Sequence, residues 1–287
     1  MPSLSDYVFV ADILDAAPKS DIASMEHPLF ALRAGDKRVR FYERNGKTIT
    51  VKPGPDGCAT VHDKDLWIYC ISQLMEAINR KRDVDRVVRF TAYDFLVSTN
   101  RRTDGDSYQR MARMFERLSG TRVETDLETG GKRERGWFGL IDFARIIGRD
   151  ADGRMVAVEV GLPEWLFRSI QNKQVLTLSR DYFRLRRPLD RRIYEMVRKH
   201  CGSQPRWRVS LKVLQEKSGS TAAIRNFRSD IKKLAASDGL PGYRMMFEPQ
   251  GDRVTFYSRG DKGHTAQLKD IVSKGPKSRR VGSFQRL

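Results

Sequence analysis

Apolar positions along this chain follow two periods, and the order in which the periods alternate predicts the fold. From residue 63, Leu66, Tyr69, Cys70, Gln73 and Leu74 fall at helical spacing, with Ile71 and Ile78 widening the apolar face. Val87-Val88-Arg89-Phe90 then reads as a short strand. Thr91, whose hydroxyl can accept from a free amide, caps a second helix to about Ser98. A polar turn at 100–105 precedes a third helix over about 106–118. Strands at 121–125 and 137–141 enclose a basic loop at 130–136. Helix, strand, helix, turn, helix and hairpin is the order of a winged helix, a helix-turn-helix variant with a β-hairpin wing.

The same order returns downstream. Pro188–His200 reads as a helix, Trp207-Arg208-Val209 as a strand, and Ser210 as the cap of a helix to about Lys217. A turn at 218–220 leads to a helix over 222–236, and strands at 243–247 and 254–257 flank a turn. Arg89-Phe90-Thr91 matches Arg208-Val209-Ser210 at an offset of 119. Tyr108, Met111, Phe115 and Leu118 match Ile224, Phe227, Ile231 and Leu234 at an offset of 116, each quartet forming one stripe expected to face a core. Between the repeats, Met155–Val160 alternates as a strand and Leu162–Ile170 is a short helix. Upstream, 1–27 reads as an arm with one short helix, and Arg38–Tyr42 and Thr48–Val51 flank Asn45-Gly46 as a hairpin.

The expected fold is therefore α+β, with tandem winged-helix domains. Residues 1–62 form the arm and a small β-rich extension, and 63–187 the first winged helix with connecting strands and helix. Residues 188–259 form the second, main DNA-reading unit, and 260–287 a disordered basic tail.

Charge turns this pattern into a functional expectation. The net charge is +18 over 287 residues, which calls for a polyanionic partner. It is unevenly placed: zero over 1–62, +5 over 63–187, +8 over 188–259 and +5 over 260–287. Cys58, Cys70 and Cys201 have no metal-type spacing, and His27, His62, His200 and His264 are scattered, so neither a zinc site nor the metal centre of a nickase is expected. No phosphate-binding G-x-x-x-x-G-K-[ST] motif occurs. The expectation is a non-enzymatic, cofactor-free cytoplasmic protein, with no signal peptide and no run long enough to cross a membrane.

With Phe227, Ile231 and Leu234 inward, Arg225, Arg228 and Lys232 share an outward stripe flanked by Asn226, Ser229 and Lys233. Arg can pair with guanine and Asn with adenine in the major groove, while Lys and Ser more often hold phosphates. A solvated surface helix would carry the same face; the preceding turn and basic surroundings favour DNA. Arg206, Arg208, Arg244 and Arg253 are candidate phosphate contacts near the second hairpin. In the first half the candidates are Arg110, Arg113 and Arg117 on the third helix, Arg101 and Arg102 in the turn, and Lys132, Arg133 and Arg135 at the wing tip.

Several stretches resemble the plasmid replication initiator protein A family, theta-type initiators with two winged helices. They are Met25–Leu32, Ala59–Asp65, Arg89–Asp94, Leu118–Thr125 and Tyr182-Phe183-Arg184-Leu185-Arg186-Arg187-Pro188-Leu189-Asp190-Arg191-Arg192-Ile193-Tyr194. The resemblance implies binding to repeated sites in double-stranded DNA at a plasmid origin, local duplex opening, and recruitment of a host initiator and replicative helicase. It also implies autorepression and a monomer–homodimer equilibrium, and it assigns recognition to the helix at 222–236. The rival expectations are a winged-helix transcriptional regulator without a replication role and a tyrosine nickase.

Overall fold

The computed structural model describes residues 8–274 except Leu14, Asn45, Leu127, Gly130, Glu134 and 152–154. Strands β1 (Phe9–Val10) and β2 (Lys19–Asp21) and helix α1 (Ile22–Glu26) lead to a hairpin of β3 (Arg40–Arg44) and β4 (Lys47–Lys52). Helix α2 (Asp65–Asn79), strand β5 (Val87–Thr91) and helices α3 (Ala92–Ser98) and α4 (Gly105–Gly120) follow. Next come β6 (Arg122–Thr125), the short pair β7 (Glu128–Thr129) and β8 (Lys132–Arg133), β9 (Gly136–Gly139), β10 (Phe143–Arg149) and β11 (Met155–Gly161). Helix α5 (Glu164–Gln171), strand β12 (Val175–Thr177) and a 3-10 turn at Arg180–Arg184 reach the second half. That half is α6 (Pro188–His200), β13 (Arg206–Ser210), α7 (Leu211–Ser218), α8 (Ile224–Ser237), β14 (Tyr243–Glu248), β15 (Arg253–Ser258) and α9 (Asp261–Lys274). The fold mixes helices with small, mainly antiparallel sheets. No helix among the described residues is long and apolar enough to cross a membrane.

The helix starts follow local chemistry. Thr91 caps α3 by accepting from the Asp94 amide at 3.0 Å, and Ser210 caps α7 by accepting from Val213 at 3.3 Å. The repeat extends to strand register. In the first half β5 pairs with β11 and β11 with β10, so Phe90 lies opposite Val158, and Val158 opposite Ile146. In the second, β13 pairs with β15 and β15 with β14, so Val209 lies opposite Val254, and Val254 opposite Phe247. Strand, partner and outer strand therefore keep the same order and alignment in both halves.

Sheet pairing corrects the sequence reading in two places. The hairpin expected to be the first wing, β6 with β9, does not join β5; it pairs with β4 in a sheet of order β3-β4-β6-β9. The hairpin aligned on β5 is β10–β11. For the same reason the β3–β4 hairpin is no separate extension, since β4 lies against β6 with Val51 opposite Val123, both buried. No strand was expected at β10, whose Phe-Ala-Arg-Ile-Ile-Gly-Arg run does not alternate, and which strand each hairpin meets is a non-local choice.

The segment expected to be a disordered tail is corrected for its first half. Residues Asp261–Lys274 form α9, which packs on β13 and β15; the basic end at 275–287 lies outside the described residues. Asp270 explains the docking. It is buried and takes the Tyr257 hydroxyl at 2.7 Å together with the guanidinium groups of Arg206 and Arg208. Composition suggested disorder because it counts charges without their partners.

Two apolar cores support these layers. One gathers α2, β5, α3, α4, β11 and α5; the other gathers α6, α7, α8, β14 and β15 and also takes Met25 of α1 and Ile68 of α2. The halves are joined by a buried polar seam. Lys64 Nζ lies 2.8 Å from Glu195 Oε2, with both side chains 1% exposed. Arg192 donates to the carbonyls of Ser24 (2.7 Å), Glu26 (3.2 Å) and Lys217 (2.9 Å) and lies 3.3 Å from Glu195. Arg191 pairs with Asp65 at 2.6 Å. Burial alone would raise the Glu195 carboxyl, yet Lys64 and Arg192 outweigh it and hold the group below its ordinary range. Arg191 and Arg192 thus spend their charge inside the protein.

Candidate nucleic-acid interface

Helix α8 presents exposed cations from a firm base. Phe227, Ile231 and Leu234 are buried against α7 and the β14–β15 sheet, which fixes the rotation of the helix. Ile224, expected to complete that stripe, is 38% exposed and is a correction. It is the first residue of the helix, and its turn extends beyond the core.

The opposite face carries Arg225, Asn226, Ser229, Lys232 and Lys233, all exposed. The side chains of Arg225, Asn226, Ser229 and Lys233 make no hydrogen bond or ion pair among the described residues. Lys232 Nζ lies 5.0 Å from the centre of the Phe247 ring, a contact that leaves its ammonium in water. An exposed row of polar side chains on a helix whose rotation is set by its buried back is what a groove-docking helix requires.

Arg228 departs from the expectation of a free base reader. Its Nε and Nη2 donate to both carboxylate oxygens of Asp252 at 2.9 and 2.8 Å. This bidentate pair holds the Arg228 guanidinium above its ordinary range and the Asp252 carboxyl below its own. Asp252 lies in the β14–β15 turn with φ of +48°, so Arg228 braces that turn against the helix. Asp230, also on α8, pairs with Arg187 at 3.3 Å and ties the helix to the start of α6.

The turn into α8 is fixed by close packing. Gly219 has φ of +73°, and a Cβ there would stand 2.8 Å from Pro28 Cβ and 3.2 Å from the Tyr42 hydroxyl. The turn between α7 and α8 therefore leans directly on the N-terminal segment.

The other candidates scatter. Arg206 and Arg208 are not beside α8: they lie on the sheet under α9, paired with Asp270, and Arg208 also meets Glu248 at 3.3 Å. Arg253 is exposed at the start of β15, next to Asp252. Arg244 stands 4.0 Å from Asp238. On α4, Arg113 is exposed and Arg110 lies 3.5 Å from Asp106, but Arg117 turns inward. Its Nε and Nη2 meet Asp63 at 2.8 and 2.7 Å. Arg101 is similarly drawn in, donating to the His62 carbonyl at 2.6 Å and to Asp65 at 2.9 Å. Arg102 is exposed, 3.0 Å from Asp104. Arg135 pairs with Glu124 at 2.7 Å over the Trp137 ring, while the side chains of Lys132 and Arg133 lie outside the described residues.

Charge at helical spacing did not separate arginines that face water from those that meet an acid far along the chain. The acids that engage them, Asp63 for Arg117 and Asp252 for Arg228, stand 54 and 24 positions away along the chain, so no local signal marks the pairs. Among the described residues no group of three or more His, Cys, Asp or Glu is placed to hold a metal ion.

The sequence model of the family described as replication initiator protein A matches residues 19–245. A curated relative from Wigglesworthia glossinidia brevipalpis, provisionally named a replication protein, is 38% identical over 260 residues, covering 89% of this chain and 94% of its own. Crystal structures of domains 2 and 3 of RctB share the fold. A selenomethionine form superposes with a TM-score of 0.59 at 11% identity, covering 84% of this chain and 97% of that one. A second has a TM-score of 0.54 at 11% identity and covers 82% and 95%.

Proposed function

We propose a function that proceeds from one premise: this chain belongs to the replication initiator protein A family. In this reading it is a plasmid initiator that binds repeated duplex sites at the origin, helps to open the adjacent DNA, and recruits the host initiator and replicative helicase. It does so without catalysis and without a cofactor, and it represses its own promoter by the same binding. Both halves act as winged helices, with β14–β15 and β10–β11 as the wings.

The observation that carries the reading is the division of α8 into a locked apolar back and an unengaged polar front. Arg225 and Asn226 are the base readers, and Ser229, Lys232 and Lys233 hold the flanking phosphates. Arg253, beside the turn braced by Arg228, reaches the backbone across the groove. Arg113 on α4 contributes a weaker second contact. The matched register of the β5 and β13 sheets supports treating the two halves as one duplicated reader. Family members act at replication origins, so the ligand is specific duplex rather than nucleic acid in general.

Footprinting of the full chain on the DNA that flanks its own gene tests this. Protection of several direct repeats spaced near a helical turn is expected. A single inverted repeat at a promoter, with no repeats elsewhere, would instead make the protein a transcriptional regulator.

A further inference from the structure

We infer that the loop at residues 33–38, in the charge-neutral N-terminal segment, extends the α8 surface along the DNA backbone and contacts phosphates through Arg33 and Lys37. The inference rests on the reading of α8 as the DNA reader.

Arg33, Lys37 and Arg38 are exposed, and the loop that carries them is held firmly. The Asp36 carbonyl takes the Cys58 amide at 2.9 Å. The Asp36 carboxylate takes the Nε and Nη2 of Arg38 at 2.9 and 3.0 Å. Gly57 packs so closely that a Cβ on it would stand 2.9 Å from the backbone of Gly35. Arg40, the next cation, turns inward and donates to the carbonyls of Pro28, Leu29 and Phe30 at 3.4, 3.2 and 3.2 Å.

From this frame Arg38 Nη2 reaches Thr221 Oγ1 at 3.0 Å, in the turn immediately before α8. The loop and the start of the helix are therefore one surface, although Arg38 and Thr221 are 183 positions apart in sequence. The only acid in the loop, Asp36, is spent on Arg38. Arg33 and Lys37 make no hydrogen bond or ion pair among the described residues. Each is thus an unpaired cation on a loop tethered to the turn before α8, the arrangement that displaces condensed counterions from a duplex. Arg38 is the positioning residue, since its guanidinium is occupied by Asp36 and Thr221.

The test is a salt series with full-length protein, reading fluorescence anisotropy on the footprinted repeat and on a random duplex of equal length. The double variant Arg33→Ala, Lys37→Ala is expected to flatten the slope of log K against log salt by about 2, close to 0.9 per phosphate contact. Affinity for both duplexes should fall together, leaving their ratio unchanged. Thr221→Val, which removes the tether without touching a charge, should weaken both duplexes in the same manner but less. A wild-type slope in a double variant that melts like wild type overturns the inference. A lost preference for the repeat also overturns it, because the loop would then contact bases. If the unmodified chain binds neither duplex, the reading of α8 itself has failed; if it binds with a preference that Asn226→Ala removes while the loop variant changes nothing, only the loop assignment has.

Discussion

Replacing Arg192 by methionine, which keeps length and apolar bulk but removes charge and donors, should cost the protein a large part of its stability. The guanidinium is 2% exposed and serves three carbonyls and one carboxylate contributed by α1, α6 and α7. In the variant those carbonyls lose a donor, those of Ser24 and Lys217 at buried contacts, and Glu195 keeps Lys64 as its ion-pair partner. Removing one partner of a buried pair costs about 3–5 kcal/mol. Unsatisfied carbonyls act in the same direction, so about 4 kcal/mol is the working figure. At roughly 2–4 °C per kcal/mol for a chain of this size, the melting temperature should drop by about 10 °C. Arg187→Met is the control, because its pair with Asp230 is 46% and 37% exposed and such pairs contribute at most about 1 kcal/mol. Thermal melts followed by circular dichroism compare the two. Equal melting temperatures for both variants would refute the claim that the seam, rather than apolar contact alone, locks the halves together.

Two further outcomes follow from the same geometry. Asp252→Asn removes the acid that occupies Arg228, so affinity for random duplex should rise and its salt dependence steepen; anisotropy that matches wild type at every salt concentration would show that Arg228 stays out of reach of phosphates. Burial lowers the His27 imidazole to about 4, against 6.5 unfolded. Between those values the unfolded chain binds the extra proton, so stability is lost as pH falls from about 6.5 toward 4, by at most about 3 kcal/mol. Urea midpoints across this window should decline for wild type and flatten for His27→Gln. Glu26 and Glu195, both held below their ordinary range despite burial, give stability that is present above the unfolded carboxylate value and lost at still lower pH.

The sequence was most readable where the physics is local. Thr91 and Ser210 announced helix starts because a hydroxyl at that position answers an amide three residues on, and both stand there. The stripe of Phe227, Ile231 and Leu234 placed the back of α8 correctly because helical period and burial coincide. Partner choice was not readable. The pattern marked β6, β9 and β11 as strands and missed β10, whose Phe-Ala-Arg-Ile-Ile-Gly-Arg run does not alternate, and the pairing of β11 rather than β9 with β5 depends on chain segments far apart. Arginine was ambiguous for the same reason. Arg117 and Arg113 have the same type and lie on the same helix, yet one meets Asp63 and the other meets water. Net charge misled in both directions. It hid the exposed cations of the loop at 33–38 inside a neutral segment, and it counted Arg191 and Arg192 toward a surface field although both are buried.

The central claim is that α8 reads duplex DNA with Arg225 and Asn226, and equilibrium titration tests it most directly. Wild type, Arg225→Ala and Asn226→Ala would be titrated at one fixed salt concentration against the footprinted repeat and against random duplex. Each substitution should weaken binding to the repeat by about 1–3 kcal/mol, tenfold or more over most of that range, with a smaller loss on random DNA and unchanged melting temperatures. Undiminished discrimination between the two duplexes in both variants would contradict the account and move the reading surface away from α8.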